Sequence, residues 1–220
     1  MSSEPIPTRF FGLYSDALGS EAVEFETDGT DLRCRLRGVD FYGPDFELLE
    51  PIPGSPPDRV NQFSLWSACL CSFSLSLEMP ISVSAEGGLA EGRLQANIFI
   101  GDSARLDSPT TLRLTLIVGE DRYSGSGRSG WFENELLEIQ ALLPSGTFLK
   151  ACINCQYSDY SPAGHGFFGW LNCFRFMKKE YLDSPGKMHL LAIERAAGTV
   201  QETFLCPDFE RRIPGTGYRG

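Results

Sequence analysis

Four cysteines in the last third of the chain constrain its fold more than any other feature: Cys152 and Cys155 in a Cys-Ile-Asn-Cys knuckle, then Cys173 and Cys206. A tetrahedral thiolate centre needs one close pair on a tight turn and two further sulfurs delivered by the fold, and this set supplies both. Three separate stretches of chain would have to meet at one point. Zinc is the expected occupant. Cys173 and Cys206 lie far apart, and neither stands in its own two-residue-spaced pair. Other uses of the same residues therefore stay open: a redox-active pair at Cys152 and Cys155, an iron–sulfur cluster, or buried thiols without a ligand. No thioredoxin-type strand-then-helix setting surrounds the knuckle, and the evenly spaced cysteine runs of ferredoxins are absent, which favours zinc.

At 220 residues, with 42% hydrophobic and 12% aromatic residues, the chain can bury a sizeable core. A net charge of −10 argues against nucleic acid, whose binding draws on clustered Lys and Arg, and would favour a basic protein partner. Met1 to Ser20 carries no basic start followed by an apolar run, and no later stretch is long and apolar enough for a membrane span. The expected location is the cytoplasm, with no membrane partner. Seven cysteines, an odd number, with no export signal make a disulfide framework unexpected. Cys34, Cys69 and Cys71 read as small buried hydrophobes.

Residues 1–150 read almost wholly as strands and turns, the rhythm of an antiparallel β-sandwich. Val23 to Glu26 and Leu32 to Arg37 alternate on either side of an Asp28-Gly29 turn, a hairpin signal. Arg33, Arg35 and Arg37 share one face of the second strand, expected to pair with Glu24 and Glu26 across the hairpin. The proline-rich stretch from Pro51 to Pro57 cannot continue a ladder and reads as a surface connection. Phe63 to Leu77 reads as one long half-buried strand, followed by strands over Leu94–Ile100, Leu112–Val118, Leu136–Leu142 and Thr147–Ala151.

Residues 151–220 form the expected four-cysteine metal-binding region of loop and short helices, packed on the sandwich. Phe174, Met177, Lys178, Tyr181 and Leu182 recur at helical spacing, Ser184-Pro185 starts a second helix that Gly198 ends, and Val200–Leu205 reads as a strand delivering Cys206. A closed shell of four thiolates leaves no position for water or substrate, so the zinc would be structural and catalytic residues are none. The aromatic- and glycine-rich loop from Tyr157 to Trp170 is the candidate binding surface, with Tyr157, Asp159, Tyr160, His165 and Trp170 as its contacts. His165 reads more readily as a hydrogen-bonding prop than as an acid or base. Ser124 to Gly130 lacks the Gly-Lys-Ser/Thr ending of a phosphate loop and reads as a loop between strands.

The series Cys152-Ile153-Asn154-Cys155, Tyr157-Ser158-Asp159-Tyr160-Ser161-Pro162, Cys173-Phe174-Arg175, Cys206 and the tail Gly215-Thr216-Gly217-Tyr218-Arg219-Gly220 resembles a family of uncharacterised bacterial proteins. The resemblance implies a bacterial cytosolic setting and no activity. The expected function is that of a non-enzymatic, zinc-stabilised binding protein contacting another macromolecule, of which immunity proteins that neutralise basic toxins are one kind. Two alternatives are a carbohydrate- or small-ligand-binding sandwich using Trp66, Trp131 or Trp170, and a zinc hydrolase using His165.

Overall fold

The computed structural model describes residues 8–85, 88–102 and 109–218; the last two residues of the expected tail, Arg219 and Gly220, lie outside them. The elements in chain order are β1 (Thr8–Asp16), β2 (Gly19–Thr27), β3 (Leu32–Leu36), β4 (Val39–Gly43), β5 (Glu50–Pro51), a single turn α1 (Pro57–Val60), a short hairpin of β6 (Leu65–Trp66) and β7 (Cys69–Leu70), then β8 (Phe73–Ala85), β9 (Gly88–Ile100), β10 (Thr111–Val118) and β11 (Asp121–Ser124). The helix α2 (Phe132–Leu142) follows, then β12 (Phe148–Leu149), β13 (Ser158–Asp159), β14 (Leu171–Cys173), α3 (Lys178–Leu182), α4 (Lys187–Ile193) and β15 (Gly198–Val200).

The fold is mainly β and antiparallel, as expected. Its strands are not divided between two packed sheets, however. Ten of them form one continuous sheet, β11-β10-β9-β8-β1-β2-β3-β4-β5, with β12 added to the far half of β8 beyond the reach of β1, while β13-β14-β15 make a separate three-stranded sheet and β6-β7 a hairpin. Strict alternation builds this sheet: along β8, Phe73, Leu75, Leu77, Met79, Ile81 and Val83 are buried while Ser76, Glu78 and Pro80 face solvent. At the β1–β8 seam a side chain on Gly12 would sit 2.1 Å from the Ser76 carbonyl oxygen, so only glycine permits that pairing.

Helix α2 and the C-terminal segments cover the apolar face of the sheet. The expected strand over Leu136–Leu142 is the second half of α2 instead. Phe132, Leu136 and Ile139 lie on one helical stripe and are fully buried, and the helix stops where Leu143 turns extended ahead of Pro144. The expected long strand over Phe63–Leu77 is broken: Ser67, Ala68 and Ser72 adopt φ of 47°, 71° and 58°, which folds β6 and β7 into a separate hairpin before β8 begins. Of the expected strand over Val200–Leu205, only Val200 belongs to β15.

Phe46 ties these layers together. It stacks on Phe168 at 5.0 Å and lies 5.5 Å from Phe25 of β2 and 6.1 Å from Phe132 of α2. The main core therefore crosses the expected 150/151 boundary, taking in Cys152, Ile153, Tyr160, Phe167, Phe168 and Leu171. A smaller cluster of Cys155, Tyr157, Phe174, Tyr181, Leu190 and Ile193 belongs to the C-terminal region alone. Phe132→Ala should cost about 3–5 kcal/mol, read from the urea midpoint, because the ring touches sheet, loop and helix at once.

The arginine stripe is partly as expected. Arg33 lies over the ring of Tyr42 and Arg35 faces Asp40 at 3.7 Å, but Glu24 and Glu26 are held by Arg9 of β1, at 3.1 and 3.0 Å. Arg37 leaves the stripe at a φ of 45° and clamps Asp16 through both guanidinium nitrogens, at 2.7 and 2.6 Å.

Candidate metal centre and the carboxylate clamp beside it

A tight helical turn over Cys152–Asn154, closed by the Cys155 N–H donating to the Cys152 carbonyl at 3.0 Å, brings the first two thiols to one end of the turn. The same turn is fastened to the segment before Cys206: the Cys152 N–H donates to the Phe204 carbonyl at 2.7 Å and the Ile153 N–H to that of Glu202 at 2.9 Å. Cys173 arrives on β14, whose register sets it opposite Ser158, three residues after Cys155. Three stretches of chain thus deliver four thiols to one neighbourhood. Cys152, Cys155 and Cys206 are buried and Cys173 is half-buried.

Electrostatics report the same convergence. Burial first, and then the neighbouring Cys155, Cys206 and Cys173, hold the Cys152 thiol well above the usual thiol range. Burial also raises Cys173, opposed by a backbone hydrogen bond from Arg175 and by the Arg175 charge. An N–H two residues beyond a cysteine is a donor suited to a thiolate. Among the described residues, no group of three or more His, Cys, Asp or Glu that could hold a metal ion is found. Cys34 and Cys71 are buried as expected, whereas Cys69 is half-buried with its thiol 3.7 Å from Glu50.

The loop expected to be a contact surface is largely interior. Tyr157, Asp159 and Tyr160 are buried, and only His165 and Trp170 reach the half-buried rim. The Tyr157 hydroxyl donates to Glu210 and the Tyr181 hydroxyl to Asp159, both at 2.8 Å. Arg212 closes the same knot by donating to the Cys155 and Ser158 carbonyls.

Two carboxylates outside the sequence-derived candidates hold the second half of the loop. Asp45 is 1% exposed, and its Oδ2 accepts from the Phe167 N–H at 2.9 Å, the Phe168 N–H at 3.1 Å and the Trp170 indole N–H at 2.9 Å. Glu202, equally buried, accepts from the Gly169 N–H at 2.8 Å and the Tyr160 hydroxyl at 3.0 Å. Burial pushes Asp45 up to about 6 and Glu202 up to about 7, against the opposing pull of those donors. His165 stacks on Tyr160 at 4.1 Å and meets Trp131 edge-on. Its two ring nitrogens face acceptors, the Gly166 carbonyl at 2.9 Å and Glu133 at 3.4 Å, and the Glu133 contact raises its pKa. An Asp after Pro44 is a recognisable turn cap; nothing in the sequence around Glu202 marks it.

These groups fix the sign of the pH dependence. A carboxyl raised in the folded state binds protons more readily there than in the unfolded chain, so its contribution to stability falls as pH rises from about 4 towards 7. The His165–Glu133 contribution is present below the ordinary histidine value and is also lost as pH rises through the raised one. In protein stripped of metal, where no thiol ionises on folding, the urea midpoint should therefore be lower near pH 8 than near pH 5.5; a midpoint that rises over this interval would contradict the burial of Asp45 and Glu202.

The glycine-rich loop between β11 and α2 is held by its own acids. Glu135, fully buried, accepts from the Gly127 N–H at 3.0 Å and the Ser129 hydroxyl at 3.0 Å, and Glu138 accepts from the Ser126 N–H at 2.6 Å. Amides that could cradle a phosphate are thereby occupied. Of the three tryptophans, Trp66 is 51% and Trp131 41% exposed, while Trp170 is half-buried with its indole N–H on Asp45.

Residues 8–158 match a family of unknown function, DUF6304, over about two thirds of the chain. The chain belongs to that family. The DUF6304 match takes in the whole of the large sheet, α2, Cys152 and Cys155, and ends before Cys173, Cys206 and the tail on which the sequence resemblance rested. No curated protein and no solved structure matches the chain. No helix among the described residues is long and apolar enough to cross a membrane.

Proposed function

We propose that this DUF6304 chain is a non-enzymatic binding protein whose C-terminal region is fastened by one structural zinc ion on Cys152, Cys155, Cys173 and Cys206. The observation that carries the reading is the arrival of these four thiols, from three segments, in one buried neighbourhood, with an Arg175 backbone donor at Cys173. Zinc would reverse the local acid–base balance, because a coordinated thiol is deprotonated outright and the cation offsets the repulsion that keeps Cys152 protonated. A reducing cytoplasm suits such a centre.

Several features support binding rather than catalysis. Asp45, Glu202, Asp159 and His165, the groups best suited to acid–base work, are all committed to hydrogen bonds that hold the loop. The net charge of −10 favours a basic macromolecular partner, including a toxin of the kind immunity proteins neutralise, through steered association that slows as salt rises. Elemental analysis combined with thiol titration tests the metal. One zinc per chain, with four thiols unreactive until a chelator or mercurial releases the metal, is the expected result. Metal-free protein with every accessible thiol reactive would overturn it.

A further inference from the structure

The solvent face of the large sheet carries a shallow trough of about 280 Å³ that the metal reading leaves unused. Its shape follows from the register. One outward rung runs Ser15, Ser74, Phe99, Thr111 across β1, β8, β9 and β10, and the next runs Leu13, Ser76, Asn97. The central strand β8 thus contributes only serines, a low floor, while Leu13 rises on one bank and Phe99 on the other, 46% and 38% exposed. None of the residues lining the trough is charged, in a chain of which 22% is Asp, Glu, Lys or Arg.

We propose that this trough binds a sugar ring of a neutral glycan. The Ser76 hydroxyl donates to Asn97 Oδ1 at 3.0 Å, which fixes the Asn97 amide. Among the described residues, neither Asn97 Nδ2 nor the Ser74 hydroxyl has a partner, so donors and acceptors are presented beside one aromatic ring. Apolar walls with a few placed neutral polar groups suit a ligand with hydroxyls on its edge and C–H groups on its face. A nucleotide or phosphate would need cations, and an amine a carboxylate; the lining has neither. A second copy of the chain would need about 800 Å² of contact per partner, but the uncharged patch is small: the Leu13–Ser76–Asn97 rung ends on Arg113, and the next rung carries Glu24 and Glu78 on either side of Phe11. The proposal is independent of the metal centre.

The full chain as purified is titrated at millimolar concentrations with maltohexaose, cellohexaose, laminarihexaose and chitohexaose, followed by backbone amide NMR. At least one should bind and shift Ser74, Ser76, Asn97 and Phe99. Phe99→Ala should weaken that binding by about tenfold, and Ser76→Trp, which fills the trough from an exposed position, should abolish it with the spectrum elsewhere unchanged. Three results would each overturn the proposal: no binding of any of the four glycans, binding indifferent to Ser76→Trp, or ultracentrifugation showing a dimer that Ser76→Trp dissolves.

Discussion

Cys152→Ser should abolish metal retention and lower stability by about 4 kcal/mol or more, the contribution of a ligand present at a thousandfold excess over its Kd. Cys152 is the most buried of the four thiols, and its turn is tied by backbone hydrogen bonds to the segments on either side. Losing the metal should loosen those segments together, because zinc binding and local folding are one equilibrium. Hydrogen exchange should accelerate across the 152–174 and 198–212 segments while the β8–β9 amides keep their protection. Serine at Cys155, Cys173 or Cys206 should give the same loss, and combining two such changes should add little. Cys71→Ser, also buried but outside the four-thiol neighbourhood, is the control; if Cys152→Ser cost no more than it does, the zinc reading would fail.

Asp45→Ala carries the second large effect. One carboxylate oxygen satisfies two backbone N–H groups and an indole N–H, all turned inward. Buried donors left without acceptors cost about 1–3 kcal/mol each, so the substitution should destabilise by about 3–5 kcal/mol after partial rescue by entering water. Asp45→Asn can keep its one oxygen on these three donors but turns an N–H₂ towards the Glu47 N–H that the other carboxylate oxygen accepts, and should fall between. The Trp170 emission should shift to the red in Asp45→Ala as its indole N–H finds solvent, and less so in Asp45→Asn. A loss below about 1 kcal/mol for Asp45→Ala would mean that Phe167 and Phe168 are held by packing alone.

The strands are readable wherever one face alone is buried. β8, β9 and β10 alternate apolar and polar residues, and Asp28-Gly29 marks the β2–β3 turn. The second half of α2 mimics a strand because Leu137, Ile139 and Ala141 satisfy an alternating pattern over a short window; the deciding signal is the wider spacing from Phe132 through Leu136 to Ile139 and the acidic first turn. The break at Ser67, Ala68 and Ser72 leaves no mark, since non-glycine residues at positive φ are imposed by tertiary context. One continuous sheet in place of a sandwich is not legible either, because an alternating strand only shows that a face is covered, not by what.

In the candidate site, the tight turn over Cys152–Asn154 is legible from the two-residue spacing of Cys152 and Cys155. The burial of the Tyr157–Trp170 loop is not. Aromatic, glycine-rich segments read as surface loops, and this one is drawn inward by Asp45, 122 residues before Phe167, and by Glu202, 33 residues after Gly169. Those separations put the interaction beyond any local pattern. The phenylalanines of the loop, in contrast, do what their type predicts, filling the core against Phe46 and Phe132.

X-ray absorption at the zinc edge, on protein purified without added metal, addresses the metal centre most directly. Four sulfurs at about 2.3 Å are expected around a single zinc. Three sulfurs with a nitrogen or oxygen neighbour would mean an open or mixed shell and return catalysis to consideration, and no zinc at all would contradict the centre outright.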